Sequence, residues 1–156
     1  MNSDQLSIQN EDFSIAEEYR QLRAQAGDAG AVVTFTGLVR EMYQAEDQGS
    51  KIDSLFLEHY RGMTEKCLLE IIQQAETQWP LLAVRVIHRI GELKPGEQIV
   101  MVATASAHRH AAFDAAQYIM DFLKSKAPFW KRQSSGEDSH WVESRESDAE
   151  AIERWQ

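Results

Sequence analysis

QIVMVATASAHRHAAFDAAQYIMDFLKSKAPFWKRQ, residues 98–133, holds a strand, a helix and a second strand in succession. Residues 98–107 are apolar and rich in β-branched side chains, which predicts a strand. From about 109 to 126, Ala112, Phe113, Ala116, Ile119, Met120 and Leu123 recur at helical spacing and predict a buried stripe. Pro128 ends helical geometry. FWKRQ and HWVE then flank the turn-rich SSGEDS as a short hairpin.

The chain upstream follows the same alternation. Ser14, with Glu17 three residues on, predicts a helix start, and Gly27 to Gly30 its end. AVVTFTGLVR (31–40) predicts a buried strand, and the polar residues 41–51 a mobile loop. In IDSLFLEHY (52–60), Leu55, Leu57 and His59 share one face of a strand. A helix over about 64–79 carries Cys67, Leu68, Ile71, Ile72 and Ala75 as its apolar stripe, which predicts a buried, inert thiol. Val84, Val86, His88 and Ile90 alternate along the strand 82–91. Lys94-Pro95-Gly96-Glu97 fits a type II turn leading into 98–107. The tail 144–156 is charged and partly helical in pattern. Helices between strand pairs predict an α+β sandwich with an antiparallel or mixed sheet.

Length and composition bound the rest. At 156 residues and 43% hydrophobic, the chain predicts one domain with a real core, with flexible ends over 1–12 and 149–156. A single cysteine excludes an internal disulfide, a CxxC pair and a cysteine-rich zinc site. The polar, acidic start lacks the pattern of a secretory signal, and no apolar run is long enough to span a bilayer, which predicts a cytoplasmic protein. A net charge of −9 argues against a nucleic-acid or membrane-surface binder. The charge is uneven, however. Residues 85–132 hold eight Lys/Arg against four acids, so this segment is +4 and the remainder −13. Such a basic stretch in an acidic chain suits a small anion or an acidic partner.

Three clusters carry possible chemistry. Gly37 and Arg40 mark a strand end that delivers an arginine to a loop. Ala105 to His110 forms a strand-to-helix junction, where free N–H groups and the helix dipole favour an anion beside His108 and Arg109. Lys124 to Arg132 gathers three lysines and an arginine around a proline and two aromatics. A lysine beside other cations, or partly desolvated, can act as base or nucleophile. Solvated surface charge is the plain alternative for each cluster. Arg109 and Lys124 lie fifteen residues apart on one helix, about 22 Å at 1.5 Å per residue. They cannot line one small-molecule site within a chain, so a shared site requires two copies. There is no GxGxxG, Walker A or GxSxG motif.

With AVVTFTGLVRE (31–41), LEHYRGMTEK (57–66), VIHRIGELKPGE (86–97), SAHRHAAFDAAQYIMDFLKSKAPFWKR (106–132) and WVESRESD (141–148) in register, the chain resembles the catalytic (large) subunits of molybdopterin synthase. The resemblance implies an α/β hammerhead-like fold with a small antiparallel β subdomain. It implies a sulfurtransferase that converts cyclic pyranopterin monophosphate (precursor Z) to molybdopterin, with no cofactor or metal. The sulfur comes from the C-terminal thiocarboxylate of a small ubiquitin-like subunit, in a heterotetramer built on a homodimer of this chain. It implies Lys124 and Lys131 as catalytic residues, and Arg40, His108, Arg109 and Arg132 as substrate-binding residues. Leu38, Val39, Gln133 and Arg145 are further candidates for the substrate pocket. Leu38, Arg61 and Gln133 depart from the residues many relatives carry there (Lys, Pro and Glu), which leaves Leu38 and Gln133 only backbone contacts to offer. A non-catalytic dimeric module that docks a ubiquitin-like tail or a phosphate ligand is the alternative. Retention of both lysines argues against it, because docking needs charge but no particular lysine pair.

Overall fold

The computed structural model describes residues 3–40, 43–44, 50–51, 54–135, 138–142 and 146–156, with backbone alone at 43–44, 50–51, 133–135, 138–142 and 146–148. Its elements run β1 (Leu6–Gln9), α1 (Ile15–Ala26), β2 (Ala31–Leu38), β3 (Tyr43–Gln44), β4 (Ser50–Lys51), β5 (Ser54–His59) and α2 (Met63–Gln78). They continue β6 (Leu81–Arg89), β7 (Gly91–Leu93), β8 (Gln98–Ser106), α3 (Arg109–Lys126), β9 (Phe129–Ser135), β10 (Asp138–Val142) and α4 (Glu146–Glu153).

The first sheet has the order β1-β6-β8-β2. β1 runs parallel to β6, and the other pairs are antiparallel. Alternation along β6 and β8 sends side chains to both faces, and both are covered. Val84, Val86, Val100 and Val102 meet Leu68, Ile72, Ile119 and Leu123 of α2 and α3. Ile87, Met101, Ala103 and Ala105 meet Phe13, Leu22 and Ala26 on the α1 side. Burial on two faces is why β8 reads as an unbroken apolar run. Each fully buried Val, Leu or Ile contributes about 1.5–3 kcal/mol. Ser14 caps α1 as expected, its side chain accepting from the Glu17 N–H at 3.3 Å.

A smaller antiparallel sheet, β10-β9-β5-β7, stands beside the first. Its core is Val39, Leu55, Leu57 and Leu93. The apolar stretch 82–93 therefore divides, β6 serving one sheet and β7 the other. The turn after β7 closes as predicted: the Glu97 N–H donates to the Lys94 carbonyl at 3.0 Å, with Gly96 at φ 91°. The α+β sandwich is thus the architecture that the element order predicts, and the small antiparallel sheet is what the resemblance implies.

Packing reaches the end segments, and other expectations give way. Leu6 is fully buried in β1, and Ile152 of α4 is buried too. β1 escapes sequence reading because four residues in a polar context become a strand only through pairing with β6. β2 is not a buried strand but a sheet edge, with Phe35 43% and Leu38 54% exposed. Part of the 41–51 segment forms a short ladder, β3 with β4, while 41–42 and 45–49 lie outside the described residues.

Candidate functional site

The C-terminal end of α3 is wedged between α2 and β9. The Thr64 hydroxyl donates to the Pro128 carbonyl at 3.0 Å and accepts from the Tyr60 N–H at 2.9 Å. That pair of bonds pins the α3–β9 link to the start of α2. The Cys67 thiol donates to the Lys126 carbonyl at 3.5 Å. Cys67 is half-buried, not buried as its place on the stripe predicts. Burial, then Glu70, pushes its thiol pKa up, with Lys126 opposing, so it is a poor nucleophile. At the same corner, His59 Nε2 and Glu65 Oε1 form a buried pair at 2.9 Å, and the other Glu65 oxygen accepts from the Gly62 N–H.

β9 sets where its cations go. Phe129, Lys131 and Gln133 pair with His59, Leu57 and Leu55, so Lys131 shares the face of the buried leucines. Arg132 pairs with Phe56 on the opposite face and lies over its ring at 4.9 Å. The two adjacent cations therefore leave the strand on opposite faces. The Gln133 side chain and all of Arg145 lie outside the described residues.

His88 joins this corner from the first sheet. It is buried and stacks on Phe129 at 3.9 Å. Its Nδ1 lies 2.8 Å from the Arg89 carbonyl, so Nδ1 carries the proton and Nε2 is an acceptor. Burial, first, pushes its pKa down to about 3; the positive charges of Lys124 and Lys131, and His59, act in the same direction. Both predicted catalytic lysines thus bear electrically on one buried ring. Sequence reading places His88 on the alternating face with Val86 and Ile90 and assigns it no role.

Lys124 also lines a cavity of about 440 Å³ with Phe35, Phe113, Met120 and Asp121. Phe113, expected on the buried stripe, is 60% exposed at this cavity. Its Cβ direction falls at the margin of the stripe, over the exposed edge strand β2. Among the described residues no ion pair engages Lys124. Asp121, one turn earlier, is buried and already occupied: Gln117 Nε2 donates to Oδ1 at 2.8 Å and Trp155 Nε1 to Oδ2 at 2.7 Å.

The N-terminal end of α3 is built differently. His108 is the N-cap in an extended conformation, φ −130° and ψ 152°, without a side-chain cap, and no acid sits in the first turn. His108, Arg109 and His110 are exposed. The Ser106 hydroxyl donates to the His108 carbonyl and shapes the entry. Gly30 packs behind it, where a Cβ would lie 2.1 Å from the Ala107 carbonyl oxygen. Open N–H groups beside an arginine suit an anion. Arg40 is exposed just beyond β2, while Val39 is buried with its N–H and carbonyl both taken by Glu97 and Gly96. Val39 therefore packs and makes no surface for a ligand. Among the described residues no three His, Cys, Asp or Glu side chains gather as a metal site requires. No described helix is long and apolar enough to cross a membrane.

Residues 8–126 match the family model described as MoaE protein. The chain is 55% identical to the molybdopterin synthase catalytic subunit of Vibrio cholerae, over 97% of each chain. It is 55% identical to the protein of that name from Escherichia coli, over 92% of each chain. Among solved structures, it superposes on the molybdopterin cofactor biosynthesis protein E of Burkholderia multivorans with a TM-score of 0.81 and 42% identity. That match covers 97% of this chain and 95% of the other.

Proposed function

The chain belongs to the MoaE protein family, and on that premise we propose that it is the sulfur-inserting catalytic subunit of a molybdopterin synthase. It converts cyclic pyranopterin monophosphate to molybdopterin with sulfur from the C-terminal thiocarboxylate of a small ubiquitin-like subunit, in the cytoplasm. The curated relatives carry the word subunit in their names, which supports an obligatory partner. The observation that carries the reading is 55% identity to a molybdopterin synthase catalytic subunit over 97% of each chain, with Lys124 on the wall of a cavity that Phe35, Phe113 and Met120 also line.

Each group has a task that its surroundings suit. Lys124, free of ion pairs among the described residues, is the acid–base or transient nucleophile. Lys131 holds the thiocarboxylate terminus and stabilises the oxyanion of the acyl intermediate. Arg40, His108 and Arg109 bind the phosphate and the pterin. A half-buried thiol with a raised pKa does not supply the sulfur, in keeping with an external donor. Because Arg109 and Lys124 sit at opposite ends of an 18-residue helix, the site is completed by a second copy: one chain's helix start meets the other's helix end. The exposed Phe35, Leu38 and Phe113 are the apolar surface that such a dimer or the partner tail covers.

A single-turnover assay tests this. The protein is mixed with the thiocarboxylated small subunit and the cyclic pterin, and dithiolene product is measured. Product with the wild type and none with Lys124→Ala supports the enzyme. A stable complex without product in either case means a docking module. For the composite site, Arg109→Ala and Lys124→Ala chains are unfolded together and co-refolded. Assayed at substrate far below KM, where Arg109→Ala alone turns over about a tenth as fast as wild type, mixed dimers hold one intact site each, so about a quarter of wild-type turnover returns if sites are shared between copies. No recovery means each site lies within one chain.

A further inference from the structure

The cavity beside Lys124 has a carboxylate in its wall that does not pair with the lysine. Asp121 and Lys124 are three residues apart on α3, a spacing at which opposite charges on a helix ordinarily meet. They do not meet, because both Asp121 oxygens accept from neutral donors, Gln117 at 2.8 Å and Trp155 at 2.7 Å. Gln117 belongs to the same helix, but Trp155 comes from the chain end, just beyond α4. It is held there by edge-to-face contacts with Trp79 and Tyr118, at centroid separations of 5.6 and 5.5 Å. Ala151 of α4 lines the same cavity as Asp121 and Lys124.

We propose that Trp155 is a positioning residue for the lysine site: its indole N–H holds the Asp121 carboxylate away from Lys124, leaving the ammonium free to lose its proton and act on substrate. The inference rests on the catalytic role proposed above for Lys124. Released from Trp155, the carboxylate would turn to the ammonium one helical turn away, and a neighbouring opposite charge favours the charged form. A base or nucleophile must spend part of its time uncharged, so the pairing slows the reaction at neutral pH. Among the described residues, no acid of the elements packed on α3 forms an ion pair with Lys124. β2 and β8 carry no titratable side chain, β6 brings the neutral His88, and β9 brings Lys131. α2 brings Glu65, Lys66, Cys67, Glu70 and Glu76, and the sequence of α4 holds Glu146, Asp148, Glu150 and Glu153.

The test is a pH profile of single-turnover rate for four full-length chains, each loaded with the thiocarboxylated small subunit: wild type, Trp155→Phe, Asp121→Asn and the double variant. In Trp155→Phe the rising limb of the rate moves up by about one pH unit, which is roughly a tenfold loss at fixed pH below the limb. In the Asp121→Asn background the same Trp155→Phe change leaves the limb where it was, because an amide carries no charge to offer the ammonium. An unmoved limb in Trp155→Phe overturns the proposal. So does an equal effect of Trp155→Phe with and without the carboxylate, which is what a purely structural role for the indole produces. Lys124→Ala is run beside them. Full turnover there overturns the catalytic reading itself. Loss of turnover there, with an unmoved limb in Trp155→Phe, overturns only the role of Trp155.

Discussion

At its start, α3 offers His108, Arg109 and His110 to solvent on a turn with no side-chain cap and no acid. At its end, the same helix carries Lys124 on the wall of a cavity, with a buried, occupied carboxylate one turn away. The two ends carry like charge and opposite construction. The first exposes cations and open N–H groups, a construction that suits an anion. The second is prebuilt, its neighbours fixed by bonds to α2, β9 and Trp155 before any ligand arrives. A binding end tolerates adjustment, whereas a reacting end must hold its geometry within fractions of an ångström.

Breaking the prebuilt end has the largest effect. Lys124→Ala lowers single-turnover rate by about 10²–10⁴, the range for loss of a proton-transfer group, without changing the melting temperature by more than a surface substitution does. Packing gives the next contrast along one helix. Leu123→Ala, in the core, costs about 2–5 kcal/mol in urea unfolding. Phe113→Ala changes the isolated chain by no more than about 0.5 kcal/mol and instead weakens self-association in sedimentation. An equal stability cost for the two would erase the distinction between a packed end and an open one. Arg109→Ala raises KM for the cyclic pterin about tenfold with kcat nearly kept, as loss of one charge-assisted bond implies. A pure kcat effect there would make the open end a reacting one.

The smallest effect reads the buried ring. The folded-state pKa of His88 is lowered from 6.5 to about 3. Between those values the unfolded chain binds a proton that the folded chain does not. Stability therefore rises with pH across the window and falls on acidification through it, at no more than about 1.4 kcal/mol per pH unit. His88→Phe, which keeps an aromatic against Phe129, flattens that slope in urea titrations. A slope unchanged in the variant assigns the acid sensitivity elsewhere.

Sequence alone reached α3 nearly to the residue, the Ser14 cap, the 94–97 turn and the 129–142 hairpin, because each has a local signature: a period, a cap, a proline–glycine pair. Charge in an apolar setting marks the cluster Lys124 to Arg132, and the resemblance, not the charge, singles out Lys124 and Lys131 within it. Sequence reading missed what depends on partners distant in the chain. β1 exists through β6, and the exposure of β2 follows from its place at the sheet edge. The separation of Arg132 from Lys131 was available from strand alternation, but only once β9 was known to face the Leu55–Leu57 core. The occupation of Asp121 by Trp155 spans 34 residues, and no local pattern announces it.

Gly30 acts as a gauge. It sets the distance between the start of β2 and the entry to α3 at the thickness of a bare backbone, with 2.1 Å where a methyl group would need to fit. The geometry of the turn into α3 is therefore decided before that turn begins in the sequence. A chain rejoined at its ends and reopened near Gly27, where nothing lies within 4 Å of an added Cβ, would keep the turn intact. Any side chain at position 30 would push Ala107, and His108 with it, off its mark.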